Sequence, residues 1–321
     1  MRIGRIAAAA IAVAASFALA ACSAGEPAST EGGKADTANA DLTLTTVDGE
    51  LALDAVPERV VVLDYASLDT LNAIGMGDVV VGTATKSLPE SLQSFADVES
   101  VGTLKEPDFE AIASVDPDLI LISNRLAEQE PQLAEIAPTA NVAIDASDWL
   151  NSTTERALDL AAVFGKQDAA KEKVDAINSS AEELKAKAAE AGSTMIVMTS
   201  GGKLTDHGPG GRYDFVFSGL GFDAASEAMT DQETSGHGKE ISFEYIGETN
   251  PDMMLVIDRD VAIGNDGDAA QQVLDNDIVN SSNAAKNDKI VYLDAANWYL
   301  VGGGLDSSQA IIDELTAAVS A

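Results

Sequence analysis

Residues 109–125 read FEAIASVDPDLILISNR, and residues 243–259 read FEYIGETNPDMMLVIDR. The two segments lie 134 residues apart and are identical at seven of seventeen positions. Each predicts a helical turn, a Pro-Asp break, a buried strand and an arginine just past the carboxyl end of that strand. Ligands of open α/β sheets bind outside the carboxyl ends of the strands. The repeat therefore predicts two similar lobes that offer Arg125 and Arg259 to an anion held in a cleft.

Strand and helix patterns alternate on both sides of the repeat, which is typical of parallel sheets covered by helices. Residues 41–54 alternate around Asp48-Gly49 and predict a hairpin. The other predicted elements are buried strands at 60–63, 79–81, 119–122, 195–198 and 290–293, and helices at 67–74 and 214–220.

A long helical segment separates the two halves of the chain. Residues 152–191 have a helical pattern with one break near Phe164-Gly165, and 167–191 contain neither proline nor glycine. One helix over 167–191 would be roughly 37 Å long and would act as a stiff strut. The predicted fold class is α/β, with two Rossmann-like lobes of mostly parallel sheets joined by a single long α-helix. The predicted boundaries are an N-terminal lobe at 41–165, the connecting helix at 166–192 and a C-terminal lobe at 193–321.

The first forty residues are predicted to lie outside both lobes. Residues 1–21 combine two arginines with a short apolar run, which is typical of a cleaved export signal. The run ends in Leu-Ala-Ala before Cys22, the only cysteine, and this ending resembles a bacterial lipobox whose cysteine is diacylated. The alternative is a plain secretory signal with a chance cysteine. Residues 22–40 are rich in small and polar residues and predict a flexible tether.

The charge balance limits the classes of partner that the protein can bind. It also makes the positions of the few arginines informative about a binding site. Lys and Arg number 19 against 53 Asp and Glu, giving a net charge of −34. Such acidity argues against nucleic acid and against electrostatic adhesion to anionic lipid, so the membrane is expected to be contacted through the lipid anchor alone. The arginines beyond the export signal are Arg59, Arg125, Arg156, Arg212 and Arg259.

Arg212 follows a glycine-rich turn, Gly208-Pro209-Gly210-Gly211. Glycines allow the backbone to approach a ligand closely, and the following predicted helix would add partial positive charge. The spacing fits neither a P-loop nor a dinucleotide fingerprint. Three arginines in one cleft suit a trianionic ligand with delocalised aromatic charge, through planar hydrogen bonds and cation–π contacts. The alternatives are surface arginines at strand ends and a plain turn.

Further candidate ligand-binding residues lie in two loops. His237 lies in a predicted mobile loop, and Trp298 and Tyr299 lie between the strand at 290–293 and Gly302-Gly303-Gly304. Imidazole and phenolate both ligate ferric iron, so His237 and Tyr299 are candidate Fe(III) ligands. Trp298 and Tyr299 are also predicted to stack on an aromatic ligand. The alternatives are a surface histidine and a packing pair; His207 is a weaker candidate.

Glu110 and Glu244 occupy matching positions in the repeat, one in each lobe. They predict a two-point docking surface for a two-fold partner with basic pockets, the alternative being solvated helix faces. No nucleophile elbow, zinc-protease motif or three-histidine set is found. The sequence therefore predicts a non-enzymatic protein without a cofactor.

The combined motifs resemble one known family. They are Val60–Asp64, Lys86–Pro89, Gly102–Asp108, Gly208–Arg212, His237–Lys239, Ile241–Tyr245, Val256–Arg259 and Trp298–Leu300. This set, which covers nearly all of the chain after the tether, resembles the lipid-anchored substrate-binding proteins of ABC importers for ferric siderophores, in their catecholate-type branch.

The resemblance implies a role for each candidate. Arg125, Arg212 and Arg259 match the basic triad that faces an iron–catecholate complex. His237 and Tyr299 match positions that supply iron ligands when the siderophore leaves coordination sites open.

Glu110 and Glu244 match the glutamates that dock on the two permease subunits. The implied partners are a ferric siderophore and an ABC permease dimer with its ATPase, and the implied protein is a monomer on the outer face of the bacterial cytoplasmic membrane. A receptor for haem or a corrinoid, a surface siderophore hydrolase or iron reductase, and an adhesive lipoprotein are the alternatives. Residues 124–128, around Arg125, depart from the family pattern.

Overall fold

A computed structural model describes residues 42–230, 238–265 and 267–320. The strands of these residues are β1 (Leu42–Thr46), β2 (Gly49–Leu53), β3 (Val60–Val62), β4 (Val80–Thr83), β5 (Glu99–Ser100), β6 (Leu119–Ile122), β7 (Thr139–Asn141), β8 (Ser193–Ser200), β9 (Lys203–Asp206), β10 (Asp223–Ala224), β11 (Lys239–Ile241), β12 (Met253–Asp258) and β13 (Ile290–Tyr292). The α-helices are α1 (Tyr65–Ala73), α2 (Phe109–Ser114), α3 (Glu130–Leu133), α4 (Trp149–Val163), α5 (Gln167–Lys185), α6 (Phe243–Thr249), α7 (Arg259–Ala262), α8 (Ala270–Leu274), α9 (Asp277–Asn280), α10 (Asn283–Lys286) and α11 (Leu305–Ser320).

The first lobe contains a parallel sheet. Its strand order is β5-β4-β3-β6-β7, and each neighbouring pair is parallel. The sequences VVV of β3 and LILI of β6 are buried throughout, because both faces of a central parallel strand are covered. The predicted hairpin is also present as the antiparallel pair β1–β2. The carboxyl end of β6 places Arg125 at the edge of the sheet that faces the second lobe.

The second lobe contains a mixed sheet. Its order is β11-β9-β8-β12-β13, with β10 also paired to β8. The pairs that β12 forms with β8 and β13 are parallel, whereas β9 is antiparallel to β8 and to β11. In β8, Ile196 and Met198 join the large core shared with the first lobe, and Met195 and Val197 form a separate cluster on the other face. This alternation follows from the two-residue period of a strand.

Both copies of the repeat fold as predicted: a short helix, a break and a buried strand. Helix α2 precedes β6 in the first copy, and α6 precedes β12 in the second. The residue before each proline, Asp116 or Asn250, has a left-handed φ of 47°. A left-handed residue ends a helix and redirects the chain into the following strand.

The aspartate after each proline explains part of the repeat. Asp118 accepts hydrogen bonds from the backbone N–H groups of Glu58 and Arg59, at 2.8 and 3.0 Å. Asp252 accepts from the backbone N–H and the hydroxyl of Ser193, at 3.1 and 2.8 Å. Each carboxylate therefore anchors the start of the neighbouring central strand, β3 or β8, and so fixes the register of its sheet.

The connecting helix is shorter than predicted. Helix α5 has 19 residues and ends at Lys185 rather than Ala191; it is therefore roughly 28 Å long. A 3₁₀ turn at Ala188–Ala191 replaces its last part. Gly192 then turns the chain with φ of 72°, where a Cβ would lie 2.7 Å from Cβ of Asp252. The tighter turn brings the chain to the start of β8, which a straight helix would overshoot.

The helix predicted at 214–220 is wrong, because only a 3₁₀ turn at Asp214–Val216 forms there. Phe215, Val216 and Phe217 are all buried, with exposed fractions of 6%, 0% and 8%. A single-sided α-helix cannot bury three consecutive side chains, since successive residues are rotated by roughly 100°. The irregular turn buries all three at the junction between the lobes.

Helix α11 returns from the second lobe and packs along α5 and α1. Its N-terminus is capped by Asp69 of α1, whose carboxylate accepts from the backbone N–H groups of Asp306 and Ser307 at 2.9 and 3.1 Å. Burial raises the pKa of Asp69 to about 6. Within the described ranges, no helix combines the length and apolar character needed to cross a membrane.

Candidate functional site

Three arginines from separate segments of the chain converge on Tyr299. The backbone carbonyl of Tyr299 accepts from Nη2 of Arg125 at 3.0 Å and from Nη2 of Arg212 at 2.7 Å. Its phenolic oxygen accepts from Nε of Arg259 at 2.9 Å, and Nη1 of Arg259 donates to Ser200 at 2.9 Å. The four side chains that the sequence places in different loops are thus neighbours at one point between the lobes.

The ring of Tyr299 also contacts two of these cations. The guanidinium carbon of Arg212 lies 4.4 Å from the ring centroid, and that of Arg259 lies 5.4 Å from it. Both distances are within the range of cation–π attraction. Three like charges in one place repel each other, and the carbonyl, the hydroxyl and the ring face together offset that repulsion.

Tyr299 lies in a π-helical turn, Asn297–Val301. The backbone N–H of Gly302 donates to the carbonyl of Asn297 at 2.7 Å, which closes the five-residue step of this turn. Such turns are rare and occur often at functional sites, because the extra residue leaves carbonyl groups directed away from the helix ladder. Here that geometry leaves the Tyr299 carbonyl available to two arginines.

The electrostatics of the cluster follow from burial and proximity. Burial by itself raises the pKa of the Tyr299 phenol, but the hydrogen bond from Arg259 and the charges of the three arginines outweigh burial and lower that pKa overall. Burial and the charge of Arg212 lower the pKa of Arg125. The site thus favours added negative charge, whether on the phenol or on a bound anion.

Two cavities, each of about 220 Å³, meet at Tyr299 and Arg259. The first cavity lies toward lobe one and is lined by Tyr65, Ala84, Lys86, Ser87, Gly102, Thr103, Leu104, Lys105, Arg125, Arg259, Ile263, Tyr299 and Leu300. The second lies within lobe two and is lined by Met198, Ser200, Thr205, His207, Arg212, Arg259 and Tyr299. Together they form the cleft expected between the two lobes.

Sequence reasoning did not name several of these residues as site residues. Tyr65 begins α1, three residues after the end of β3, and Ser200 ends β8, so both lie at the carboxyl ends of strands. That position in the fold is the signal that would have found them. The Tyr65 hydroxyl donates to the carbonyl of Ala84, and burial raises the pKa of Tyr65 to about 12. Lys86 and Lys105 add positive charge at the exposed rim of the first cavity.

Trp298 does not line either cavity, contrary to its predicted stacking role. Its side chain is only 3% exposed and packs against Tyr213 and Phe215, with ring centroids 5.7 and 5.8 Å away. Phe215 in turn stacks on Trp149 at 4.3 Å. The indole belongs to an aromatic cluster beneath the cleft, because the π-helical turn directs consecutive side chains to different sides.

The two histidines have different positions. His207 is buried, lines the second cavity and has its Nε2 atom 3.2 Å from the hydroxyl of Thr205. Its ring meets Tyr213 edge to face at 5.3 Å. His237 lies outside the described residues. Among the residues that the structure does describe, no group of three or more His, Cys, Asp or Glu side chains is placed to hold a metal ion.

Glu110 and Glu244 lie in the first turns of α2 and α6, are exposed, and do not line the cleft. The hydrogen bond with Ser242 lowers the pKa of Glu244. Both carboxylates face solvent at equivalent places on the two lobes, a position open to a partner protein.

Two α/β lobes, a helical connection and a cationic cleft define the class of bilobed substrate-binding proteins. The chain belongs to the periplasmic binding protein family, whose model matches residues 60–296.

Several relatives match this chain along most of their length. The petrobactin-binding protein YclQ of Bacillus subtilis is 39% identical over 262 residues, which cover 81% of each chain; its crystal structure matches with a TM-score of 0.81. The ferric-anguibactin-binding protein FatB of Vibrio anguillarum is 30% identical over 275 residues, covering 83% of this chain and 84% of FatB. The periplasmic catecholate-siderophore binding protein VctP of Vibrio cholerae matches with a TM-score of 0.78 and 32% identity, covering 86% of this chain and 99% of VctP.

Proposed function

We propose that this protein is the extracytoplasmic substrate-binding component of an ABC importer and captures a ferric siderophore of catecholate type. The observation that carries the proposal is the convergence of Arg125, Arg212 and Arg259 on Tyr299 between two lobes. In a chain of net charge −34, three guanidinium groups gathered at one partly buried point between the lobes favour an anionic ligand. Iron uptake, not catalysis, is the role that this cleft serves.

The chemistry of the site favours a catecholate complex over other anions. Ferric tris-catecholate carries three negative charges spread over aromatic rings. Guanidinium groups match that charge with planar hydrogen bonds and stack on aromatic rings. The name of VctP, which describes catecholate-siderophore binding, supports the same ligand class.

Tyr299 and His237 are proposed to complete the iron coordination when a siderophore occupies fewer than six positions. The Tyr299 phenol lines both cavities and has a lowered pKa, which favours the phenolate that ferric iron prefers. The ferric ion is cargo in this scheme, and the protein retains no metal or cofactor of its own.

Delivery to the membrane uses two further parts of the chain. Glu110 and Glu244 are exposed at equivalent places on the two lobes, and we infer that they pair with arginines on the two permease subunits. Cys22 is inferred to carry the lipid that keeps this monomeric receptor at the outer face of the cytoplasmic membrane. The tether at 22–40 then leaves the lobes free to reach the permease.

A fluorescence titration tests the ligand assignment. Ferric catecholates, ferric hydroxamates, ferric citrate and haem are added separately to the purified protein, and quenching of tryptophan emission is followed. We expect submicromolar binding of ferric catecholates, with weaker or no binding of the others. Arg125→Ala, Arg212→Ala and Arg259→Ala should each weaken binding, whereas Arg59→Ala, which removes an exposed arginine outside the cleft, should not. Haem as the tightest ligand would contradict the proposal.

Two further measurements test the rest of the proposal. Recovery of the siderophore unchanged after prolonged incubation is expected of a receptor, and its cleavage or the appearance of ferrous iron would indicate an enzyme. Glu110→Ala with Glu244→Ala should abolish iron uptake by cells while leaving the dissociation constant unchanged. Loss of binding in that variant would contradict the docking role.

A further inference from the structure

Glu314 of α11 holds two separate parts of the segment that carries Tyr299. Its Oε2 atom accepts from the indole Nε1–H of Trp298 at 2.7 Å, and its Oε1 atom accepts from the backbone N–H of Asp294 at 2.9 Å. The side chain is partly buried, and burial raises the pKa of Glu314. One carboxylate therefore holds Asp294, which precedes the π-helical turn, and Trp298, which lies within it.

The side chain of Asp294 extends this anchoring into the turn itself. Its carboxylate accepts from the backbone N–H of Asn297 at 3.0 Å and from the amide of the same residue at 3.3 Å. The backbone N–H of Trp298 donates to the carbonyl of Asp294 at 3.0 Å. Residues 294–298 are thus tied at both ends to one acid on α11, immediately before Tyr299.

Trp298 links this turn to the segment that carries Arg212. The indole packs edge to face against Tyr213, the residue after Arg212, with centroids 5.7 Å apart. It also lies 5.8 Å from Phe215. A displacement of the indole would therefore disturb both the Tyr299 carbonyl and one of the arginines that donate to it.

We propose that Glu314 is a positioning residue for anion binding. By fixing Trp298 and Asp294 it holds the π-helical turn so that the Tyr299 carbonyl gathers Arg125 and Arg212 at the cleft. Helix α11 is a suitable base, because it packs along α5 and α1. Glu314 lines neither of the two cavities, so it acts on the cleft through its hydrogen bonds to Asp294 and Trp298. This role rests on the proposed function.

Affinity measurements with matched variants test the proposal. The probe is the iron(III) complex of 2,3-dihydroxybenzoate, titrated against the parent protein, Glu314→Gln and Glu314→Ala. The control is Asp313→Ala, which removes the exposed neighbouring acid on the same helix. Glu314→Ala should weaken binding about tenfold, as loss of a supporting shell does at other binding sites. Glu314→Gln, which can accept from only one of the two N–H groups with its oxygen, should be intermediate.

Coupling to the arginines separates positioning from general stability. In an Arg212→Ala background, Glu314→Ala should weaken binding by less than threefold, because one of the two donors at the Tyr299 carbonyl is already absent. All variants are compared at a temperature where circular dichroism shows full folding. An unchanged tenfold effect in that background would mean that Glu314 acts through overall stability, and would overturn the proposal.

A ligand-free measurement keeps the proposal separable from the proposed function. The chain has two tryptophans, so ¹⁵N-labelled protein gives two indole signals, and Trp298→Phe assigns them. Glu314→Gln should change the chemical shift of the Trp298 indole N–H and leave that of Trp149 unchanged. An unchanged Trp298 shift would contradict the proposed hold of Glu314 on the indole. If the parent binds the ferric probe and Glu314→Ala binds it as tightly as Asp313→Ala does, the positioning role alone would be overturned. A parent that binds no ferric probe would overturn the proposed function, and with it the role in anion binding.

Discussion

In lobe one the strand of the repeat ends at Ile122, and a 3₁₀ turn at Asn124–Gln129 carries Arg125. In lobe two the equivalent strand runs to Asp258, and Arg259 begins a short α-helix. Arg125 donates to the backbone carbonyl of Tyr299, whereas Arg259 donates to its hydroxyl and to Ser200. The two arginines therefore reach the same tyrosine by different routes.

The difference shows how a repeated sequence acquires two roles. The elements that the copies share are those that build the backbone, namely the left-handed residue, the proline and the aspartate that anchors the neighbouring strand. The surroundings of the final arginine differ, since Arg125 shares its acceptor with Arg212 and burial lowers its pKa. The repeat thus determines where each arginine starts, and the fold around it determines what it contacts.

Removing the two arginines should have the largest effect. Arg125→Ala and Arg259→Ala are each expected to weaken ferric catecholate binding about 100-fold, because each loses charge-assisted hydrogen bonds in a low-dielectric cleft. The variants should differ in stability. Arg125→Ala removes a charge that burial disfavours, so its free energy of unfolding should not fall, whereas Arg259→Ala leaves Ser200 and the Tyr299 hydroxyl unpaired and should be less stable. Ligand titration measures the affinities, and urea unfolding measures the stabilities. Equal changes in the free energy of unfolding would contradict the proposed difference between Arg125 and Arg259.

Tyr299→Phe should weaken binding less, and it should distinguish the contact of Arg259 with the hydroxyl from that of Arg125 with the carbonyl. It deletes the hydroxyl used by Arg259 and keeps the carbonyl used by Arg125, so binding should weaken about tenfold. A double-mutant cycle should give a coupling of about 1 kcal/mol between Tyr299→Phe and Arg259→Ala, and none with Arg125→Ala. The iron charge-transfer band should also disappear if the phenolate ligates iron. Coupling to Arg125 instead of Arg259 would contradict the separate routes by which the two arginines reach Tyr299.

Replacing the anchoring aspartates, Asp118 and Asp252, should change the stability of the protein to different extents without changing ligand binding. Asp252→Ala should lower the free energy of unfolding by about 2 kcal/mol and Asp118→Ala by about 1 kcal/mol, because Asp252 also accepts from Asn283 at 3.0 Å. Hydrogen bonds from Ser193 lower the pKa of Asp252. Its contribution is therefore present at neutral pH and is lost as the pH falls through the lowered pKa. Urea unfolding should show a smaller difference in the free energy of unfolding between the parent and Asp252→Ala at pH 3 than at pH 7. A larger difference at pH 3 would contradict the anchoring role of the Asp252 carboxylate.

The left-handed residues should show the smallest effect. Asp116→Gly should raise the free energy of unfolding by less than about 1 kcal/mol, because glycine adopts a φ of 47° without strain. Asn250→Gly should lower it, since the Asn250 side chain accepts from the backbone N–H of Asn283 at 2.8 Å. Thermal unfolding of both variants measures the comparison. Changes of the same sign would show that backbone conformation alone matters at this break.

The sequence predicted the parts of the molecule that are marked by a pattern of neighbouring residues. Continuous apolar runs identified β3, β6 and β12, and the Pro-Asp breaks identified the starts of two of them. The position of Arg125 and Arg259 past strand ends was sufficient to place them at one edge of each sheet. The fold class follows from the same alternation, and the family match agrees with it.

The parts that it missed depend on contacts between distant residues. Nothing in NWYLV predicts a π-helical turn, because that turn is held by Glu314 from another helix. For the same reason the burial of Trp298 in an aromatic cluster could not be seen. The early end of α5 has no glycine or proline to mark it before Gly192. Sequence named Tyr299 for its ring and phenol, but the carbonyl that two arginines share is a backbone group, which no residue type reveals.

The shared carbonyl of Tyr299 has a consequence for the rate at which cargo leaves. A cleft whose cations were paired only by the ligand would have to expose three unpaired charges at the moment of unloading, which would make dissociation slow. Here the carbonyl and the phenol of Tyr299 accept hydrogen bonds from the three arginines, so these cations have acceptors when no cargo is bound. The protein therefore carries internal acceptors for the cations of its own cleft, and emptying the cleft leaves none of the three arginines without a partner.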